Sequence, residues 1–156
     1  MDKFKVLDIS GDVGIRAFGE SINEAFINAS IGMYSLITNP DAIKEKKTIY
    51  VTVESHSLDG LLVSWLNELI FHFDAYGFIG KKITIDELTF PLQRERKGGA
   101  DQTASLPACK IRAAINGEDF DAERHERRLL IKAATYHMLR LEKAGDMWKI
   151  DVIFDI

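Results

Sequence analysis

Apolar and polar positions alternate from Phe4 to Ile9 and again from Val13 to Phe18, the period-two signature of half-buried strands. Phe4, Val6, Val13, Ile15 and Ala17 mark the inward positions, and Ser10-Gly11-Asp12 reads as a tight turn between the two strands. The period then changes. Ser21-Ile22-Asn23-Glu24 has the Ser-x-x-Glu spacing of a capping box, which predicts a helix start. Ile22, Ala25, Phe26, Ala29, Met33, Leu36 and Ile37 follow helical spacing until Asn39-Pro40-Asp41, where the residue before proline leaves the helical region. Residues 47–55 return to alternation, with Ile49, Val51 and Val53 on one face and Thr48, Tyr50, Thr52 and Glu54 on the other. Ser57 caps a second helix. Its stripe runs from Leu58 through Leu61, Leu62, Trp65, Leu66, Leu69 and Ile70 to Phe73, and Gly77 and Gly80 mark its exit.

The second half is expected to be mostly strand. Residues 81–90 form one, with Ile83 and Ile85 inward, and Cys109, Ile111, Ala113 and Ile115 form another that stops at Asn116-Gly117. Residues 91–107 lack apolar anchors and are expected to be a mobile polar loop. Residues 130–142 and 147–155 are read as strands joined by the hairpin signal Lys143-Ala144-Gly145-Asp146. In the last of them Trp148, Ile150, Val152, Phe154 and Ile156 are assigned to the core. The pattern predicts an α+β fold, two amphipathic helices packed on a mainly antiparallel β-sheet.

Length makes this a single domain over residues 1–156, since a chain of about 150 residues buries some 70% of its unfolded surface. The formal charge of −4, from 20 Lys+Arg against 24 Asp+Glu, argues against a domain that grips nucleic acid mainly through phosphates. One cysteine, Cys109, excludes a disulfide framework and a cysteine-based zinc cluster. The N-terminal residues lack a signal-peptide pattern and no apolar run is long enough to span a bilayer, so a cytoplasmic protein with no membrane partner is expected.

Candidate chemistry is sparse. No histidine pair has zinc spacing; His125 falls in a stretch read as an exposed turn and His137 in one read as mid-strand. Gly11-Asp12-Val13-Gly14 is not a phosphate loop, and Arg94, Arg96 and Lys97 read as a solvated run. The acids at the chain's ends are more suggestive. Asp8 closes the first strand, Asp12 follows the turn, and Asp155 and Ile156 end the last strand. If the terminal strands are neighbours, carboxylates and a carbonyl oxygen converge into an all-oxygen ligand set for a hard cation. By spacing alone the ordinary reading is solvated turn and strand-end acids. No nucleophile–base pair and no cofactor loop is present, which leans toward an accessory protein rather than an enzyme.

Five stretches together resemble the archease family. They are Asp8-Ile9-Ser10-Gly11-Asp12-Val13-Gly14-Ile15-Arg16-Ala17, Trp65-Leu66-Asn67-Glu68-Leu69-Ile70-Phe71, Phe120-Asp121-Ala122-Glu123-Arg124-His125, Lys132-Ala133-Ala134-Thr135-Tyr136-His137-Met138-Leu139 and Val152-Ile153-Phe154-Asp155-Ile156. The resemblance implies an accessory factor for the guanylylating tRNA-splicing RNA ligase, promoting its guanylylation and multiple turnover. It also implies the alternative of a chaperone-like modulator of proteins that process DNA or RNA. It implies a divalent cation, Ca²⁺ first with Mg²⁺ or Mn²⁺ as alternatives, held by Asp12, Asp155 and Ile156, with Asp8 behind them. The partner it implies is the ligase, with RNA met only indirectly. Ile9-Ser10-Gly11 stands where the family usually has His-Thr-Ala. A stand-alone metal-dependent hydrolase ranks last, because no general base can be named.

Overall fold

The computed structural model describes residues 2–91 and 108–156. Apart from Pro91, the segment expected to be a mobile loop lies outside the described residues. The elements are β1 (Phe4–Ile9), β2 (Asp12–Gly19), α1 (Ile22–Ile37), β3 (Lys47–Ser55), α2 (Leu58–Tyr76), β4 (Phe78–Thr89), β5 (Cys109–Asp119), β6 (Ala133–Ala134), β7 (Arg140–Ala144) and β8 (Met147–Asp155). A short 3-10 turn, Pro40–Ala42, follows α1.

The strands form two sheets rather than one. One has five strands in the order β1-β2-β8-β6, with β7 also on β8; the other has three in the order β3-β5-β4. All recorded pairings are antiparallel. Helix α1 lies on β2 and reaches β4, while α2 lies on β3 and reaches β6, so both helices touch both sheets. One apolar cluster runs through these contacts, with Trp65, Tyr34, Phe26, Phe78 and Phe154 among its largest buried side chains. Among the described residues no helix is long and apolar enough to cross a membrane.

The helix boundaries follow from their caps. The Ser21 hydroxyl accepts from the Glu24 N–H at 3.1 Å, and Glu24 reaches back to the Glu20 N–H at 3.0 Å, one residue before the usual capping-box partner. The Ser57 hydroxyl accepts from the Gly60 N–H at 2.9 Å. Gly77, at φ +70°, closes α2 by donating to the Phe73 carbonyl. The helices are tied to each other inside the core: the Trp65 indole N–H donates to the Ser30 hydroxyl at 2.8 Å, and that hydroxyl donates to the Phe26 carbonyl at 2.8 Å.

Four sequence expectations need correction. Strand β4 begins at Phe78, directly after the Gly77 cap, so Gly80 lies inside a strand rather than at a helix exit. Strand β5 runs through Asn116-Gly117 to Asp119, because Gly117 allows close approach: a Cβ there would meet the Ile79 carbonyl oxygen at 2.0 Å. The stretch read as one strand over 130–142 is broken. Ala133 and Ala134 pair with Asp155 and Phe154, and Arg140 to Ala144 pair with Asp151 to Met147. Between them residues 135–139 leave the ladder, with Met138 at φ +54°. His137 is therefore in this excursion and not in a strand. Ile156 ends up half-exposed just past β8 instead of in the core.

Candidate functional site

The β1–β2 hairpin turns in two residues. Ile9 pairs with Asp12, and Ser10 (φ +42°) and Gly11 (φ +91°) supply the two positive φ values that such a turn needs. This fixes Asp12 as the first residue of β2. Strand β2 then pairs with β8 from Gly19 opposite Trp148 to Val13 opposite Phe154. One step further in the same register stand Asp12 and Asp155, the terminal residues of their strands. Directly opposed residues of an antiparallel pair have Cα atoms about 5 Å apart and point to one face. The register thus makes neighbours of two acids 143 positions apart in the chain.

Gly14 makes this closeness sterically open. A Cβ on Gly14 would stand 2.6 Å from the Val152 carbonyl oxygen and 2.6 Å from the Ile153 Cδ1. The Asp-x-Gly arrangement at Asp12-Val13-Gly14 therefore has a physical reason. The acid is followed, two residues on, by the only side-chain size that lets β2 lie flush on β8 at that point.

Asp8 does not join the pair by register. It stands opposite Val13, which packs on the core, and so projects to the helix-bearing face. Asp12 and Asp155 share the other face with Arg16 and Asp151, whose side chains bond at 2.7 and 2.9 Å across the same two strands. Among the described residues no third His, Cys, Asp or Glu completes a metal-holding group, and no Lys, Arg or His pairs with Asp12 or Asp155. Both acids are exposed. Like charges directly opposite on adjacent strands destabilise the pairing. The donor set, two carboxylates with the Ile156 main-chain carbonyl one residue on, has the all-oxygen chemistry of Ca²⁺ or Mg²⁺, with water filling the remaining positions. The residues fit such an ion.

Sequence reasoning missed a second constellation. His125 is buried, not exposed, and lies against the buried carboxylate of Glu118 with its Nε2 3.0 Å from Oε2. The Asp121 N–H donates to the other ring nitrogen, Nδ1, at 2.8 Å, so the proton is on Nε2 and is donated to Glu118. The Arg124 guanidinium donates to Oε1, and the Lys44 N–H donates to Oε2 at 2.6 Å. Burial alone raises the Glu118 pKa, but the bonds from Arg124, Lys44 and His125 outweigh it and hold it down at about 2. Arg124 also donates to the Ala42 carbonyl at 2.9 Å, and the Phe120 ring stacks on His125 at 5.2 Å. This knot ties β5, the Pro40–Ala42 turn and the 120–125 loop together. A Glu a few residues before an Arg-His pair was its only visible signal, and spacing of that kind is common on exposed loops.

The second helix holds β6 in the same way. Asn67 donates to the Ala134 carbonyl at 3.3 Å and accepts from the Ala134 N–H at 2.7 Å, acting as a strand would. Ala133 is the cross-strand partner of Asp155, so this clamp sets the outer wall of the acid pair.

Residues 4–156 match the model of the Archease protein family (MTH1598/TM1083). The chain belongs to the archease family. The archease of Sulfurisphaera tokodaii is 29% identical over 158 residues, covering all of both chains. The solution structure of Protein 1598 of Methanobacterium thermoautotrophicum superposes with a TM-score of 0.76 at 28% identity, covering all of both chains. The crystal structure of a Thermotoga maritima archease, described as a possible chaperone, gives 0.60 at 18% identity over 97% of this chain and 96% of that one, a likeness of fold. The α+β architecture with two helices on antiparallel sheets is thus the archease fold.

Proposed function

We propose that this archease is an accessory factor that activates the guanylylating tRNA-splicing RNA ligase, and that it acts through the corner formed by Asp12, Asp155 and Ile156. The observation that carries the proposal is the register of β2 on β8. Its last recorded pair is Val13 with Phe154, so the exposed acids Asp12 and Asp155 come next at the ends of their strands, with no Lys, Arg or His partner among the described residues, in a protein whose family membership is established. A divalent cation held there supplies positive charge beside nucleotide phosphates, where guanylyl transfer needs it. The chain's own residues do the rest. Gly14 keeps the strands flush, Asn67 holds β6 beside Asp155, and the two-residue turn keeps Asp12 at the strand end. Activation requires that the protein bind the guanylylation-competent state of the ligase in preference to others.

The test is ligase guanylylation and turnover with and without this protein. Stimulation by the wild type, and its loss with an Asp12→Ala, Asp155→Ala double variant, is the expected outcome. Normal stimulation by the double variant removes the metal-site reading.

A second reading is a chaperone-like modulator of nucleic-acid-processing proteins, in line with the description of the Thermotoga relative. It predicts suppression of aggregation for several unrelated clients, with no dependence on Asp155.

A further inference from the structure

The face of the five-stranded sheet that carries the acid pair is the one turned away from the helices, and the register fixes what stands on it. Moving from the acids toward the β7–β8 hairpin, Lys5, Arg16, Asp151 and Arg140 line up in one row across β1, β2, β8 and β7. The next row is Lys3, Phe18, Lys149 and Glu142, with Lys3 placed there by the bond from the Phe18 N–H to its carbonyl. Both acids in these rows are already paired. Asp151 takes two bonds from Arg16, and Glu142 lies 3.4 Å from Lys149. Lys3, Lys5 and Arg140 have no carboxylate partner among the described residues.

Phe18 is the anomaly. Among the described residues the core takes in Phe4, Val13 and Trp148 from this sheet but not Phe18. Its ring instead lines an open cleft of about 440 Å³ together with Asp2, Lys5, Lys149, Met147 and Ala144, so the cleft holds two lysines against one acid. A half-buried phenyl ring with lysines beside it in its own row and the next is an arrangement the fold does not need. It is the arrangement of a stacking platform: an aromatic face for a base, flanked by cations for the backbone phosphates, on an open sheet.

We infer that this sheet face binds single-stranded nucleic acid without sequence preference, with a base on Phe18 and phosphates on Lys3, Lys5 and Arg140. The chain's overall acidity does not oppose this. The binding rows are at the hairpin end, four to six residues along β2 from Asp12, which is about 13–20 Å at strand rise. A platform of three unpaired cations is weak. Its affinity belongs in the range of non-specific binding, with Kd about 1–100 µM near physiological salt. The site stands whether or not a ligase is the partner.

The test is fluorescence anisotropy with labelled 12-nucleotide RNA and DNA single strands and an RNA duplex of equal length, using the full chain at low salt. Binding of both single strands is expected, weakening about eighteen-fold between 50 and 200 mM salt, as three phosphate contacts on a single strand require. Weaker binding of the duplex is expected. Phe18→Ala should lower single-strand affinity at least about five-fold with little change in the salt dependence. A Lys5→Ala, Arg140→Ala double variant should lower the affinity and flatten the salt dependence to about that of one contact. Tyr50→Ala, on the exposed face of the other sheet, should change neither. Each variant's far-ultraviolet circular dichroism verifies its fold. A flat titration to 500 µM, or binding that Phe18→Ala and the double variant leave untouched, overturns the inference.

Discussion

At Glu118 the donors of Arg124, Lys44 and His125 converge on one buried carboxylate, and the consequence is thermodynamic. Removing one partner of a buried, hydrogen-bonded charge leaves the others uncompensated. Glu118→Gln should therefore lower the unfolding free energy by about 3 kcal/mol at neutral pH in urea titrations. The pH dependence has a definite sign. The carboxyl is held at about 2 in the folded protein against an ordinary 4.5, so its contribution is complete above about 4.5 and drains away as pH falls toward 2. The stability gap between wild type and Glu118→Gln should narrow across that window, which urea titrations at stepped pH would measure. A gap that stays constant would contradict the bonding described. Asp12 and Asp155 are the opposite case: exposed, without a cationic partner among the described residues, and next to each other by strand register. Calorimetric titration with Ca²⁺ should show binding to the wild type and none to Asp12→Asn or Asp155→Asn, without loss of fold in either variant.

Among the elements, β2 on β8 matters most, because its register creates the acid pair. The local patterns of both strands were legible: Val13, Ile15 and Ala17 alternate, as do Ile150, Val152 and Phe154. Their pairing was not. No local signal says which strands become neighbours, and only the expectation that chain ends lie close pointed that way. The close approach at Gly14 supplies a direct test of register. Gly14→Val must push β2 off β8 next to the acids, and it should weaken Ca²⁺ affinity at least ten-fold while lowering stability by about 1–3 kcal/mol. Unchanged affinity would show that the acids do not act as a pair. Residues 130–142 failed as a single strand for a reason of the same kind. Tyr136 and Met138 alternate acceptably, but Thr135 bonds the Ile153 carbonyl through both its N–H and its hydroxyl, and Met138 turns through positive φ. Those are tertiary choices, invisible to periodicity. Asn67 shows it too. An amide inside an apolar helix stripe looks incidental until β6 is seen bonded to it, and Asn67→Ala should destabilise the fold by about 1–3 kcal/mol by leaving the Ala134 backbone unpartnered.

Across the whole molecule, helices and most strands could be read because their apolar stripes are long and their caps are conventional; Ser21, Ser57 and Gly77 each do what their residue types suggest. What could not be read is how two sheets share two helices, since an inward face is the same pattern whichever sheet it joins. The family resemblance bridged that gap through five short stretches. The structure now gives three of them folding roles: Asn67 for the helix stretch, His125 and Arg124 for the third, Ala134 for the fourth. The remaining two, at Asp12 and Asp155, meet at one corner of an exposed face, and it is there that the functional claim rests. Its most direct test is the rate of ligase guanylylation with this protein, first wild type and then the Asp12→Ala, Asp155→Ala double variant. The account predicts strong stimulation by the first and none by the second, with the double variant folded. Equal stimulation by both would contradict it.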